Sequence, residues 1–134
     1  MARATFFYFT IEGDNLDVVA AKETIGLPCN TYTKGQKSLT RLKNEVISKS
    51  TRWVYNAYSH EETNTYKKTS MFLAEHLEII SKKLPILYAY IKKYKAIIEI
   101  VIYEDASGKD SILLTKKIIK LLNKIGVEFS ISFK

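Results

Sequence analysis

Cysteine is almost missing from this chain. Cys29 is the only one, so no internal disulfide can form and a bridge-stapled secreted scaffold is excluded. An intracellular, cytoplasmic location is the expectation. Proline and glycine are scarce, at 2 and 5 of 134 residues, which sets aside collagen-like and Pro/Gly-rich disordered classes. The glycines stand apart, at Gly13, Gly26, Gly35, Gly108 and Gly126, each explained by a turn or a helix end. No glycine-rich loop is left to cradle phosphate. Long apolar runs are also lacking: even Ala96 to Tyr103 is cut by Glu99, far short of the ~20 residues of a spanning helix, and no membrane partner is expected. The N-terminal run Phe6 to Phe9 soon meets Thr10, Glu12 and Asp14, too short for a signal-peptide core. Arginine is confined to Arg3, Arg41 and Arg52, so few side chains offer a forked grip on phosphate or guanine.

What remains is a globular composition, 46% hydrophobic and 26% charged. At 15.4 kDa a single domain over residues 1–134 buries roughly two-thirds of its unfolded surface. The net charge of +7, from 21 basic against 14 acidic residues, admits nucleic acid or acidic partners without selecting either.

The clearest pattern closes the chain. Val127-Glu128-Phe129-Ser130-Ile131-Ser132-Phe133 alternates apolar and polar residues without a break, the signature of a half-buried strand in a sheet with one uncovered face. Thr5 to Ile11 is the first strand, aromatic and β-branched, with Phe7, Phe9 and Ile11 on one side and Phe6, Tyr8 and Thr10 on the other. Asp14 or Asp17 caps a helix through Ile25, ended by Gly26 and Pro28. Residues 30–52 are basic and rich in Ser and Thr; they predict a mobile loop with one helical turn from the spacing of Leu39, Leu42 and Val46. Trp53 to Tyr58 is the second strand, Ser59 to Lys68 a polar loop, and Thr69 or Ser70 the cap of a long helix. In that helix Leu73, Leu77, Ile80, Leu84, Leu87 and Ile91 form one stripe, and Pro85 predicts a kink or break near Leu84. Ala96 to Tyr103 is the third strand, Glu104 to Lys109 a turn, Ile112 to Leu114 an extended stretch, and Thr115 caps a last helix that Gly126 ends. The predicted fold is α+β: a two-layer α/β sandwich with one mainly four-stranded sheet, helices on one face, and the order β-α-β-α(kinked)-β-α-β.

Several stretches together resemble the family called domain of unknown function 4279: Phe9-Thr10-Ile11-Glu12-Gly13 with Leu16-Asp17, Ile25-Gly26-Leu27-Pro28 with Lys34-Gly35, and Trp53 opening an aromatic strand. The C-terminal match is the most specific, from Leu114-Thr115 through Leu121-Leu122 and Ile125-Gly126-Val127 to Phe133. The resemblance implies a small bacterial α/β domain and transfers no catalytic residue. Gln36 to Ser50 is longer than the family pattern.

No nucleophile, metal or phosphate constellation is present. His60 beside Glu61 and Glu62 has no ligand spacing and reads as a solvated acidic loop. His76, flanked by Phe72 and Ile80 at i±4, lacks the second histidine of a helical zinc motif and reads as a boundary histidine. Cys29 has no adjacent base. Lys116, Lys117, Lys120 and Lys124 form a solvated helical stripe. The expectations are therefore no enzyme activity, no cofactor and no metal. The function predicted is a protein-interaction module, possible as a homodimer and immunity-like against a toxin in one version. The alternative is single-stranded nucleic-acid binding, with Phe6, Tyr8 and Tyr103 stacking bases on the open sheet face and Lys34, Lys37, Arg41, Lys43 and Arg52 supplying phosphate contacts.

Overall fold

A computed structural model describes residues 2–39, 42–63, 65–104 and 112–134. Strand β1 (Arg3–Glu12) occupies the middle of the sheet, and its ten residues alternate buried and half-buried from end to end. That alternation is the period of two made physical: Phe7, Phe9 and Ile11 are fully buried, while Phe6, Tyr8 and Thr10 face the other way.

The remaining elements are α1 (Val18–Ile25), β2 (Asn30–Tyr32), β3 (Lys37–Leu39), β4 (Glu45–Ile47), β5 (Arg52–Glu61), α2 (Thr65–Lys82), α3 (Leu84–Lys93), β6 (Lys95–Glu104), α4 (Lys116–Ile125) and β7 (Glu128–Phe133). The main sheet has five strands in the order β2-β5-β1-β6-β7, and β3 and β4 form a separate two-stranded sheet. Neighbours in the main sheet run antiparallel except β6 and β7, which are parallel and need the crossover that α4 supplies.

Helix ends follow the sequence closely. Asp17 accepts the Ala20 amide at 3.0 Å at the start of α1, and Gly26 ends it in the left-handed region at φ 71°. Thr115 accepts the Ile118 amide at 3.2 Å at the start of α4. The break at Pro85 is also present: α2 stops at Lys82, and Pro85 sits in the first turn of α3. There a missing N–H costs nothing, because first-turn amides have no helical acceptor anyway.

One hydrophobic cluster joins the layers. Phe7, Phe9, Ile11, Trp53, Tyr55, Ile98, Ile100 and Ile102 meet Leu73, Leu77, Ile80, Leu84 and Leu87, with Ala21 and Ile25 from α1 and Ile118 and Ile125 from α4. Each of the four described helices places its buried apolar residues in this cluster. Among the described residues the opposite face of the sheet therefore carries no helix, as the alternation in β7 implies.

Three expectations are corrected. The sheet gains a fifth strand and the fold a hairpin, because residues 30–52 are not one loop with a helical turn. Leu39 pairs with Glu45 across β3 and β4, and β2 pairs with β5. Every residue of β3 and β4 is exposed, so backbone pairing there proceeds without the burial pattern that marks a strand in sequence. Second, Ser59 to Lys68 is not a loop: β5 continues to Glu61 and α2 begins at Thr65. Third, Thr69 and Ser70 do not cap α2 but lie buried inside it. The Ser70 hydroxyl donates to the Leu113 carbonyl at 2.8 Å. The turn expected around Gly108 lies outside the described residues, apart from Glu104.

Candidate aromatic sheet face

Cross-strand register assembles the uncovered face row by row. Tyr58, Phe6, Val101 and Ser132 make one row; Asn56, Tyr8, Glu99 and Ser130 make the next. Asn30, Val54, Thr10, Ile97 and Glu128 follow, and then Tyr32, Arg52, Glu12 and Lys95. Beyond the first row stand His60, Ala4 and Tyr103.

The predicted aromatics do come together here. The Phe6 ring lies 5.7 Å from Tyr103 edge-on and 6.3 Å from Tyr8 in a parallel stack. Tyr58 joins them at 4.9 Å. The Tyr8 and Tyr103 pairs have the offset and edge-to-face geometries that aromatic quadrupoles favour, and the Tyr58 ring is tilted by 45°. Phe6 and Tyr8 are half-buried beneath their neighbours, whereas Tyr58 and Tyr103 stay 57% and 47% exposed. Burial raises the Tyr8 hydroxyl pKa above its ordinary value, and Tyr103, Glu99 and Tyr32 add to that rise.

The basic residues are not gathered around this cluster. Arg52 is on the face but stacks on Tyr32, 4.4 Å from the ring centroid. It lies six positions along β5 from Tyr58, roughly 20 Å at strand rise. Together with Tyr8, Thr10, Asn30, Asn56 and Glu99 this corner lines a shallow depression of about 240 Å³. Lys37 pairs with Glu45 at 3.3 Å on the hairpin. Lys34 and Lys43 are exposed beside it, and Arg41 lies outside the described residues. Arg3, counted in sequence among the forked donors, is buried on the opposite face and unavailable to a ligand.

Tyr58, Asn56 and Tyr32 were missed in sequence. Tyr58 was within reach, since it shares the phase of Val54 and Asn56 opposite the buried Trp53 and Tyr55. Tyr32 sits on a three-residue strand too short to show a phase.

Elsewhere several titratable groups pair with one another. His76 is half-buried against Phe72, Phe7 and Tyr55, and its Nδ1 lies 2.6 Å from the Tyr55 hydroxyl. Burial pushes the imidazole below its ordinary pKa, partly opposed by Glu75, and pushes the Tyr55 phenol up. A depression of about 700 Å³ is lined by residues of β5, α2 and the start of α4. Its two lysines pair with acids, Lys117 with Glu78 at 2.8 Å and Lys68 with Glu61 at 3.2 Å. His60 lies 3.8 Å from Glu62 in an exposed setting. Among the described residues, no group of three His, Cys, Asp or Glu side chains is placed to hold a metal ion, and no helix is long and apolar enough to cross a membrane.

No curated protein and no solved structure matches the chain. A family model does match, over residues 3–134, and its description reads Domain of unknown function (DUF4279).

Proposed function

Since the chain belongs to the DUF4279 family along essentially its whole length, with the agreement its motifs implied and no activity in the family's description, we propose from the geometry that it is a non-enzymatic protein-binding module. The uncovered sheet face is its docking surface. The observation that carries this reading is the contiguous patch of Phe6, Tyr8, Tyr58 and Tyr103 on a face with no helix over it among the described residues. Clustered aromatics are the side chains that anchor protein interfaces. The charge beside Tyr8 is Glu99, and Arg52 is held against Tyr32 at the far end. A partner presenting apolar groups and a lysine or arginine complements this patch; a phosphate meets a carboxylate. An immunity-like role against a toxin is one form such a module takes.

The test is a comparison of native protein with Tyr58→Ala and Tyr103→Ala in affinity capture, with circular dichroism confirming that both variants fold. Loss of the same stoichiometric partner from both variants supports the reading. A partner retained by both removes the face from consideration.

The exposed rings of Tyr58 and Tyr103 favour a second reading, single-stranded nucleic-acid binding, because each stacked base contributes about 1–3 kcal/mol. Fluorescence anisotropy with labelled single-stranded RNA and DNA separates the two. Phosphate-driven binding weakens log-linearly with salt, and no binding at low salt leaves the +7 charge as a solubility feature.

A further inference from the structure

The two edges of the main sheet are unequal. At one edge β2 is only three residues long, the kind of short strand that blunts unwanted pairing. The other edge is β7, six residues in length, and among the described residues it pairs with β6 alone. It has no proline and no charge between Phe129 and Phe133. Between Phe129 and Phe133 it therefore has neither the proline nor the charge that commonly protects a long edge.

The sequence of that edge is symmetric in chemistry about Ile131. Glu128-Phe129-Ser130-Ile131-Ser132-Phe133-Lys134 reads Phe-Ser-Ile-Ser-Phe in either direction, with an acid at one end and a base at the other. The backbone agrees with this symmetry. The Lys134 amide donates to the Ile102 carbonyl at 2.9 Å, and in a parallel pair alternate residues bond to the neighbour. The even-numbered residues of β7 thus face β6, while Phe129, Ile131 and Phe133 aim their amides and carbonyls at the open edge.

We propose that β7 pairs antiparallel with β7 of a second copy of this chain about a two-fold axis at Ile131, joining two five-stranded sheets into one of ten strands. In this register Ile131 faces Ile131, and Phe129 faces Phe133 of the second copy. These are the residues with outward backbone groups, so they form the hydrogen-bonded pairs of an antiparallel ladder. Ser130 faces Ser132, and Glu128 faces Lys134, an opposite-charge pair at each end. A one-residue slip breaks every one of these matches and puts apolar side chains opposite groups on the wrong face.

Side chains support the same occupant. Phe129 is 42% exposed and borders an apolar groove of about 370 Å³ with Leu114, Ile119, Leu122 and Val127. Phe133 of the second copy meets Phe129 at the mouth of this groove, an aromatic cross-strand pair on the helix side of the joined sheet. The two uncovered faces then lie on the same side, so the aromatic patches belong to one continuous surface. The interface is independent of what that surface binds.

Analytical ultracentrifugation of the full chain tests the proposal. A mass of twice 15.4 kDa at tens of micromolar supports it, and a monomer at 200 µM, roughly the weak end for so small an interface, overturns it. Glu128→Lys sets like charges opposite each other twice per dimer and weakens association about tenfold, while Glu128→Lys with Lys134→Glu restores it. No weakening, or no rescue, overturns the register. Both positions are exposed, so the fold does not depend on them. In a Cys29→Ser background, Ser130→Cys mixed with Ser132→Cys forms a disulfide-linked dimer, because non-hydrogen-bonded partners stand ~4.5 Å apart at Cα. Equal cross-linking by either cysteine variant alone overturns the register.

Discussion

Glu104→Gln should be the most informative single change in this protein. Arg3 and Glu104 face each other across the β1–β6 register on the helix side of the sheet, with side chains 0% and 4% exposed. The guanidinium Nη2 donates to the Glu104 carboxylate, Nη1 donates to the Thr69 hydroxyl at 3.4 Å, and the Tyr66 ring lies 5.1 Å away. The glutamine keeps the shape but removes the charge that compensates a buried cation. Breaking one side of such a pair costs about 3–5 kcal/mol. With a urea dependence of about 1–3 kcal/mol per molar, the unfolding midpoint should fall by roughly 2 M. Replacing both partners, Arg3→Met with Glu104→Leu, removes the need for compensation and should recover most of that loss, since apolar substitutes for buried pairs are often neutral or better. The assay is equilibrium urea unfolding followed by Trp53 fluorescence, on native protein, Glu104→Gln, Arg3→Met, Glu104→Leu and the Arg3→Met/Glu104→Leu pair. A midpoint shift under about 0.3 M for Glu104→Gln, well below what a buried pair implies, or strictly additive losses in the double variant, would refute the reasoning.

Two further outcomes follow from local geometry. A Cβ on Gly13 would fall 2.5 Å from Tyr94 Cδ1, so Gly13→Ala should cost about 1–3 kcal/mol by overpacking, and Tyr94→Ala in the same chain should relieve it in thermal melts. His76 has its pKa lowered in the folded state by burial, so below the ordinary value of about 6.5 the unfolded chain takes up the proton first. Stability is then complete above that value and declines as the pH falls toward the folded-state pKa; the decline measured between pH 7.5 and 5.5 should flatten in His76→Leu, and an unchanged slope would rule His76 out as its source.

Most of the fold could be read from the sequence because its strongest elements bury one face. The alternation in Thr5 to Ile11 and in Val127 to Phe133, the stripe from Leu73 to Leu87, and the caps at Asp17, Gly26, Thr115 and Gly126 each state a local preference that packing then satisfies. Where burial is absent the signal fails: β3 and β4 are exposed throughout, and β2 is too short to show a period. Residues 30–52 therefore looked like one loop.

The candidate site divides along the same line. That Phe6 and Tyr8 share a face, opposite Phe7 and Phe9, is a consequence of period two in β1 and needs only the sequence. Only the tertiary structure decided which strands lie beside them. Strand order and register bring Tyr58 and Tyr103 onto Phe6, leave Arg52 at the opposite end against Tyr32, and set Arg3 opposite Glu104. Local periodicity specifies which way a side chain points. Its neighbours are specified by hydrogen-bonded pairing between segments distant in sequence, as with Arg3 and Glu104, which no local pattern encodes.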